Sequence, residues 1–499
     1  MKILFIFPNL GGSPGFNTGI PILSAILKKK KHKIKLIHLN ERMGYDFDLN
    51  RIKKDIIKFS PDLIGISANT NQFHIGIKIA KEIKKQYKNT PIVFGGVHPT
   101  LNPMETLKHK CVDMIIIGEA EIALPKLIES IENKQDFKNV NNLWYRENNK
   151  IIKNKLNKYA DLQKIPFMDV SIYNYQKLIN IRKGWIEIVL NRGCPYNCTY
   201  CFNKPYKEIY NKCKKEDLGT YVRTGNYTKT INGIKKILNR YKNIKCISFG
   251  DDDFLLHPKI INFLDMYIKE IKIPFVINAN LKSITVEKLK KLKKAKCKIV
   301  RIGIESGNEK IREDILNRYI TNEEIIKKIE LIKKAKLKVL SYNMIGLPTE
   351  NKKKINDTIK LNVDSKVDIV RISTFYPYEK TKIYTICKNL NLLKTKKNNS
   401  LTYYDDTILD FNDKFKLHVS KIQKYFDCYL NYNIKEISKL YKPLIQKIEK
   451  LDRHEFLNKS IQKELDSERK KVIKKLNKEK KTHYKIEFAS YFAVRKEYK

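Results

Sequence analysis

Short runs of β-branched and aromatic residues alternate with amphipathic, lysine-faced segments over residues 1–130 of this chain, and this alternation constrains its fold most. Runs of this kind favour strands, and the segments between them favour helices. Strands that alternate with helices form a parallel sheet with helices on both faces. We therefore predict a doubly wound, Rossmann-like α/β domain over residues 1–135, with strands at 2–8, 33–38, 63–67, 91–94 and 114–117.

A second alternating series begins at Trp185, after a connector over residues 136–183 in which 143–145 and 150–152 favour a small hairpin. Its six predicted strands are fewer than the eight of a closed barrel. We predict a partial (β/α)6 TIM-like barrel over residues 184–384 and a helical C-terminal region over 385–499, whose charged run 463–485 favours a solvated helix. The predicted barrel strands lie at 186–191, 245–249, 275–278, 299–304, 340–345 and 369–374.

Three cysteines, Cys194, Cys198 and Cys201, stand in the loop that follows the first predicted barrel strand. An iron-sulfur cube is ordinarily held by four thiolates. Three thiolates leave one iron open to a small molecule, so the spacing C-x3-C-x2-C predicts a [4Fe-4S] cluster that takes part in a reaction. Zinc is the alternative, but a structural zinc takes four N or S ligands and no histidine lies in the loop.

The composition limits the class of protein. In 499 residues, 101 Lys and Arg stand against 53 Asp and Glu, which gives a formal net charge of +48. Clustered positive charge would attract nucleic acid, but these lysines are spread along the whole chain and favour solvated helix faces instead. Nine cysteines are too few for a disulfide-stapled secreted protein, and we predict no secretory leader, no membrane span and a cytoplasmic location.

Glycine-rich and polar loops follow four of the predicted N-terminal strands. In an open parallel sheet, ligands bind beyond the carboxyl ends of the strands. Loops of this composition at one edge therefore predict a broad ligand that lies across that edge. The candidate binding residues are Asn9, Gly11, Ser67, Thr70, Gly95, Gly96, His98, Gly118 and Glu119.

The predicted barrel strands also end in small and polar residues. Glycine lets a ligand approach the backbone closely, and a carboxylate can accept hydrogen bonds from a cationic amino group. Helix caps and tight turns have a similar composition, so the residues alone leave both interpretations open. The candidate residues of these loops are Gly250, Asp251, Asp252, Asn280, Glu305, Ser306, Ile345 and Gly346.

Taken in order, these motifs resemble the cobalamin-binding radical S-adenosylmethionine (radical SAM) enzymes over about residues 1–384. The resemblance implies that the three cysteines ligate the cluster and that S-adenosylmethionine (SAM) chelates its open iron. It also implies that Gly250, Asp251 and Asp252 hold the amino group of SAM, although aspartates stand where many members carry Gly-Glu. The implied contacts to the rest of SAM come from Tyr200, Asn280, Glu305, Ser306, Ile345 and Gly346.

By the same resemblance, the broad ligand of the N-terminal domain is cobalamin, held between the sheet edge and the barrel mouth. Many cobalamin carriers supply an axial histidine from Asp-x-His-x-x-Gly, and this sequence has no complete copy. His98 and His74 lie near ligand-side loops, but a lone histidine is more often a capping or surface residue. Loss of an axial imidazole would expose the lower face of cobalt, which favours methyl transfer.

The expected function is reductive cleavage of SAM and cobalamin-dependent methylation of an unactivated carbon of a small-molecule or peptide substrate. Two alternatives remain: radical rearrangement, cyclisation or other non-methylating oxidoreductase chemistry on the same scaffold, and a basic nucleic-acid-binding module with a structural iron-sulfur cluster. An electron donor such as a flavodoxin or ferredoxin is the expected partner. Tyr376, Tyr378 and the helical region after Tyr384 are expected to shape the substrate pocket, but they do not name the substrate.

Overall fold

A computed structural model describes residues 1–12, 14–148, 150–211, 218–393 and 406–498. The chain divides into two compact units. Unit 1 comprises Met1–Asn197, Cys201–His257 and Asp265–Pro274, and unit 2 comprises Cys198–Tyr200, Pro258–Leu264 and Phe275–Lys499. The cysteine loop therefore contributes residues to both units.

Unit 1 contains, among its described residues, a seven-stranded sheet in the order β2-β1-β3-β4-β5-β6-β7. The first five strands are parallel and match the five predicted ones. The predicted hairpin of the connector is β6 and β7, and it extends this sheet through antiparallel pairing of β6 with β5. The strands are β1 (Lys2–Pro8), β2 (Lys33–Leu39), β3 (Leu63–Ser67), β4 (Ile92–Gly95), β5 (Met114–Ile116), β6 (Leu143–Glu147) and β7 (Lys150–Lys153).

Helices cover both faces of the parallel strands, so the strands consist of unbroken apolar runs. Leu4 and Ile6 of β1 are buried in one apolar core, while Ile3 and Phe5 are buried in a second core on the opposite face. The helices of this part of the chain are α1 (Gly19–Lys29), α2 (Leu49–Phe59), α3 (Phe73–Gln86), α4 (Val97–Leu101), α5 (Pro103–Lys108), α6 (Ala120–Glu132) and α7 (Tyr175–Ile181).

The second series of strands begins in unit 1. Here β8 (Trp185–Ile188) pairs in parallel with β9 (Cys246–Phe249). Two helices lie between them in the sequence, α8 (Asn203–Asn211) and α9 (Tyr227–Arg240), and α10 (Ile260–Glu270) follows β9. The cysteine loop connects β8 to α8, so it leaves from the carboxyl end of the first strand, as predicted.

Within unit 2, the described strands run in the order β14-β15-β13-β12-β11-β10. The four strands β10 to β13 are parallel, and β15 and β14 are added to β13 as an antiparallel hairpin. The strands are β10 (Phe275–Asn278), β11 (Cys297–Glu305), β12 (Lys338–Ile345), β13 (Ile369–Thr374), β14 (His483–Ile486) and β15 (Phe492–Lys496). The helices are α11 (Val286–Lys294), α12 (Asn322–Lys334), α13 (Lys352–Asp364), α14 (Lys382–Asn389), α15 (Asp413–Lys424), α16 (Phe426–Tyr432), α17 (Ser438–Lys450), α18 (Arg453–Leu457) and α19 (Lys459–Lys478).

All six predicted barrel strands are present as β8 to β13. The C-terminal region is helical through α19, but the helix expected over 463–485 ends at Lys478 and the hairpin β14–β15 follows it. This hairpin pairs with β13, whose edge would otherwise present unpaired backbone N–H and C=O groups. The domain boundaries at 135, 183 and 384 remain predictions.

Candidate active site

The cysteine loop is folded around one lysine of α8. The Nζ atom of Lys207 donates to the carbonyl oxygens of Cys194 at 3.3 Å, Pro195 at 3.2 Å and Tyr196 at 3.0 Å, and to Oδ1 of Asn197 at 2.8 Å. An ammonium group has three donors and no acceptor, so it can gather several carbonyls into one turn. The cysteine motif does not predict this role of Lys207, because the lysine lies outside the C-x3-C-x2-C run.

The Cys198–Tyr200 segment is held within unit 2. The backbone N–H of Thr199 donates to the carbonyl of Leu316 at 3.1 Å, and its hydroxyl donates to the carbonyl of Ile315 at 2.5 Å. The carbonyl of Thr199 accepts from the N–H of Ile383 at 3.1 Å. These bonds leave little freedom for the side chains on either side of Thr199.

A partly buried polar cluster surrounds Tyr200 in unit 2. Its hydroxyl donates to Oε1 of Glu305 at 3.0 Å and accepts from Nη1 of Arg318 at 3.2 Å. Arg318 also donates to the carbonyl of Gly303 at 2.6 Å and lies 4.0 Å from the Sγ atom of Cys198. Burial raises the pKa of Glu305, while the Arg318 cation and the Tyr200 hydroxyl oppose this shift. The cluster thus places a cation and a carboxyl group beside the second cysteine.

The three thiols are partly exposed. Among the described residues, no group of three or more His, Cys, Asp or Glu side chains is arranged to hold a single metal ion. Each thiolate of an iron-sulfur cube binds a different iron, so such thiols need not converge on one point.

The two aspartates after β9 differ in their surroundings. Asp251 is buried, and its carboxylate accepts from the backbone N–H of Leu190 at 3.1 Å and of Asn191 at 2.7 Å, so it ties the end of β9 to the end of β8. Burial raises its pKa to about 7, although these backbone bonds oppose the shift. Asp252 accepts one bond, from Nδ2 of Asn203 at 3.1 Å, and burial raises its pKa as well.

Asn203 and Tyr221 complete this corner, and sequence reasoning missed both. The hydroxyl of Tyr221 donates to Oδ1 of Asn203 at 2.5 Å, and the backbone N–H of Asn203 lies 3.5 Å from the Sγ atom of Cys201. The third cysteine is therefore linked through Asn203 to Asp252. An asparagine at the start of α8 is an unremarkable residue in sequence, and only its contacts identify it.

One cavity of about 460 Å³ lies within unit 1 and gathers many of the predicted residues. Its wall includes the loops after β3, β4 and β5, the loop after β9, and the residues that flank the cysteines, Gly193 and Phe202. The predicted residues that line it are Ser67, Gly95, Gly96, Gly118, Glu119, Gly250, Asp251 and Asp252.

Glycines form part of the cavity wall. Gly96 has φ +102°, and a Cβ there would lie 2.8 Å from the carbonyl oxygen of Ala68. Gly118 has φ +77°, and a Cβ there would lie 2.0 Å from the hydroxyl of Tyr210. A Cβ on Gly95 would meet no atom within 4 Å, so a side chain there would only fill the cavity. Gly96 and Gly118 are therefore required by packing within the protein, and at Gly95 the bare backbone borders open space.

Four of the nine residues predicted from the N-terminal loops do not line the cavity: Asn9, Gly11, Thr70 and His98. The first two belong to the loop after β1, where the carbonyl of Asn9 accepts from Asn40 at 2.8 Å and the N–H of Gly11 donates to a carboxylate oxygen of Glu41 at 2.9 Å.

His98 is buried in α4. Its ring stacks on Phe73 with 3.9 Å between centroids, its Nδ1 lies 3.4 Å from Oγ1 of Thr70, and its Nε2 lies 3.6 Å from Glu105. This packing fits a structural histidine. His74, the other histidine considered, does not line the cavity either.

In unit 2, the predicted residues close their own turns. Asn280 caps a one-turn helix, accepting from the N–H of Lys282 at 3.0 Å, and Ser306 is buried with its Oγ accepting from Asn308 at 3.3 Å. The carbonyl of Ile345 accepts from the N–H of Phe375 at 2.8 Å.

The loop after β12 is organised by a residue that the motif had not singled out. The N–H groups of Gly346 and Leu347 both donate to Oε2 of Glu350, at 2.7 and 3.0 Å. Glu350 is buried, and its burial raises its pKa to about 8. Gly346 therefore has its N–H directed at Glu350, and its φ of +76° lies in the region that favours glycine.

Two known families match this chain. The radical SAM superfamily matches residues 188–361, and the B12 binding domain matches residues 11–128. The chain therefore contains a region similar to the radical SAM superfamily and, before it, a region similar to the B12 binding domain. These matches confirm the family that the motifs resemble, the expectation of an enzyme, and the predicted cofactors: a [4Fe-4S] cluster, SAM and cobalamin.

Several relatives cover most of the chain. An uncharacterized methyltransferase of Pyrococcus horikoshii is 27% identical over 407 residues, which cover 79% of this chain and 84% of the relative. An anaerobic magnesium-protoporphyrin IX monomethyl ester cyclase of Cereibacter sphaeroides is 22% identical over 400 residues, which cover 77% of this chain and 63% of the relative.

A solved structure has the same fold. The radical S-adenosylmethionine methyltransferase TsrM from Kitasatospora setae, with tryptophan substrate and a SAM analog bound, aligns with a TM-score of 0.64 at 15% identity, over 79% of this chain and 77% of that one. At this identity the likeness concerns the fold, and it confirms the predicted fold class. No helix among the described residues is long and apolar enough to cross a membrane.

Proposed function

We propose that the protein is a cobalamin-dependent radical SAM methyltransferase that methylates an unactivated carbon of a small-molecule or peptide substrate. One observation carries the proposal: a single cavity of unit 1 is lined both by the bare loops of the N-terminal sheet and by the residues that flank Cys194 and Cys201. A methyl donor at the sheet edge and SAM beside the cysteines would share this space. Shared space is what a transfer between two bound groups requires.

The cysteine loop fits an iron-sulfur cluster. Its three thiols are partly exposed on one loop, and cationic groups stand next to it at Lys207 and Arg318. Cations stabilise thiolates and the negative charge of a cluster. When bound, the cluster supplies the electron that cleaves SAM, and cobalamin supplies the methyl group.

For SAM, we assign the amino group to Asp252, which borders the cavity and accepts a side-chain hydrogen bond from Asn203. Asp251 orients this turn from beneath, and Gly250 keeps the backbone bare. In unit 2, we assign the remaining contacts to the loops that end β10, β11 and β12 and to the second half of the cysteine loop. These residues are Tyr200, Asn280, Glu305, Ser306, Ile345 and Gly346.

For cobalamin, we assign direct contact to Ser67, Gly95, Gly96 and Gly118, which line the cavity. A Cβ on Gly95 would project into open space, which is the mark of a surface left bare for a ligand. Of the other five predicted residues, Glu119 also lines the cavity, and the remaining four support these loops from outside it. They are Asn9, Gly11, Thr70 and His98.

The relatives favour methyl transfer and also supply the alternative. The relative from Pyrococcus horikoshii and the structural neighbour TsrM are both called methyltransferases. The relative from Cereibacter sphaeroides is a cyclase, so radical chemistry without methyl transfer is the second candidate. The two differ in one product, because only methyl transfer consumes a second SAM and releases S-adenosylhomocysteine.

We also propose a flavodoxin or ferredoxin as electron donor and a cytoplasmic location. Donors of this kind are acidic, and the chain carries a formal charge of +48, which would steer their encounter. A rate of SAM cleavage with reduced flavodoxin that falls steeply with ionic strength would support this partner. A rate independent of salt would contradict it.

The test is anaerobic reconstitution of the full chain with iron, sulfide and hydroxocobalamin, followed by reduction in the presence of SAM and a panel of small-molecule and peptide substrates. We expect a corrinoid absorbance band that stays with the protein through gel filtration. We also expect 5'-deoxyadenosine, S-adenosylhomocysteine and a methylated product in equal amounts. The product is detected by its mass increase with SAM labelled on the methyl group.

Cys198→Ala should abolish 5'-deoxyadenosine formation, and Cys111→Ala is the matched control, because Cys111 is buried in the N-terminal core. Formation of 5'-deoxyadenosine without S-adenosylhomocysteine or a methylated product would favour the cyclase alternative. Equal cleavage of SAM by wild type and Cys198→Ala would contradict the cluster assignment itself.

A further inference from the structure

Four charged side chains form a connected network in unit 1, at the wall of the cavity. Nη1 of Arg192 donates to Oε1 of Glu119 at 3.1 Å, and Nη2 of Arg192 donates to Oε1 of Glu121 at 2.5 Å. Nη2 of Arg223 donates to Oε1 of Glu119 at 2.5 Å, and its Nη1 donates to Oε2 of Glu119 at 2.9 Å. Two arginines therefore share one carboxylate.

The backbones of the two arginines are paired with each other. The N–H of Arg192 donates to the carbonyl of Arg223 at 3.0 Å, and the N–H of Arg223 donates to the carbonyl of Arg192 at 2.8 Å. Arg192 stands two residues before Cys194, and Glu119 follows β5. The network consequently connects the start of the cysteine loop to the ligand edge of the N-terminal sheet.

The carboxylate of Glu119 has no hydrogen-bonding capacity left for a ligand. Its Oε1 accepts from Arg192 and Arg223, and its Oε2 accepts from Arg223 and from the backbone N–H of Ala160 at 2.9 Å. A carboxylate offers about four lone-pair sites, so all of them are used. The Glu119 side chain is also only 12% exposed.

We propose that Glu119 is a positioning residue that acts through Arg192 and Arg223, and that it fixes the start of the cysteine loop against the β5 edge. This assignment replaces the expectation that Glu119 contacts the ligand directly. We call Glu119, Arg192 and Arg223 the clamp. Its consequence rests on the proposed function: the clamp would set the distance between the corrinoid at the sheet edge and the cluster. That distance would in turn determine how tightly SAM cleavage is coupled to methyl transfer.

The structure indicates how the network should respond to substitution. Glu119→Gln removes one charge and leaves Arg223, whose side chain is 12% exposed, without its carboxylate. Breaking one partner of a buried ion pair is costly because the other charge is left unpaired. Glu119→Gln/Arg223→Met removes both charges, so its effect should be smaller than the sum of the two single effects.

The first measurement is hydrogen exchange followed by mass spectrometry on the full chain, without cobalamin and without substrate. We expect exchange about tenfold faster in Glu119→Gln for peptides that cover residues 190–197 and 221–225, with strands β1 to β3 unchanged. Glu129→Gln is the matched control, because Glu129 is 56% exposed and pairs with Lys30 at 3.2 Å. It should leave both peptides unchanged.

The second measurement is the amount of methylated product formed per SAM cleaved in the reconstituted enzyme. Loss of the clamp should lower this ratio, whereas a general loss of stability should lower both products together. With cobalamin content matched, Glu119→Gln should yield at least threefold less methylated product per 5'-deoxyadenosine, and the double variant should recover part of the loss. Unchanged exchange at 190–197 together with weaker cobalamin binding would overturn the proposal and make Glu119 a ligand contact.

Because the exchange experiment needs neither SAM nor a substrate, it decides the clamp even if methyl transfer fails. Should Glu119→Gln not fold, the double variant decides. A double variant that folds and exchanges faster than wild type at residues 190–197 supports the clamp. A double variant that folds and exchanges there at the wild-type rate overturns it.

Discussion

Replacing Glu350 by glutamine should remove a pH dependence from the loop that follows β12. Oε2 of Glu350 accepts from the N–H groups of Gly346 and Leu347, and the side chain is buried. Glutamine keeps one carbonyl oxygen that can accept both bonds, and it cannot ionise. Glu350→Gln therefore isolates the cost of burying the charge from the benefit of the hydrogen bonds.

The magnitude follows from the pKa of Glu350, which burial raises from 4.5 to about 8. The folded state thus holds the proton more tightly than the unfolded state, so stability is greatest below pH 4.5, falls as the pH rises toward 8, and is constant above. The pKa difference is 3.5 (8 minus 4.5), and each pKa unit corresponds to about 1.4 kcal/mol. The stability lost between pH 4.5 and pH 8 is therefore at most about 5 kcal/mol.

The assay is hydrogen exchange of peptides over residues 340–350, converted to a free energy of opening after correction for intrinsic rates, between pH 5 and pH 8.5. Wild type and Glu350→Gln should agree near pH 5, and the variant should be more stable at pH 8.5. Glu323→Gln is the matched control, because Glu323 is 76% exposed. Parallel curves for wild type and Glu350→Gln would refute the reasoning, as would a variant that is less stable at pH 8.5.

Three further predictions concern the cavity and the cysteine loop. Gly118→Ala should lower the melting temperature of the cobalamin-free protein, because its Cβ would lie 2.0 Å from a tyrosine hydroxyl, whereas Gly95→Ala should leave that temperature unchanged and weaken cobalamin binding in a titration. Lys207→Met should reduce the iron retained after reconstitution and Lys204→Met should not, because only Lys207 binds the loop carbonyls; equal retention would contradict this. Asp252→Asn should weaken SAM binding about tenfold or more, since it removes a charged acceptor, and calorimetry showing unchanged affinity would contradict it.

The strands and the cysteine loop could be predicted because their causes are local. Apolar runs such as Ile3 to Ile6 are needed wherever both faces of a sheet are covered, and they stand out in the sequence. The hairpin β14–β15 could not be placed in this way, because its pairing with β13 depends on an edge more than 100 residues earlier in the chain. The roles of Lys207 and Glu350 could not be predicted for the same reason. Each is an ordinary charged residue in the sequence, and only its hydrogen-bond partners in the structure show what it does.

The structure separates the acidic residues of the candidate site by whether their hydrogen-bonding capacity is already used within the protein. Glu119 accepts four bonds, Asp251 binds two backbone N–H groups, and Glu350 binds two more. All three hold backbone or arginine in place; Glu119 has its acceptor sites filled, and Asp251 and Glu350 are buried within the protein. Asp252 accepts from Asn203 and borders the cavity, so it is the acidic side chain to which a cationic amino group could bind at least cost. A motif cannot make this distinction, because Asp251 and Asp252 are adjacent residues of the same type. Only the direction of each carboxylate decides which one holds the backbone in place and which one can bind the ligand.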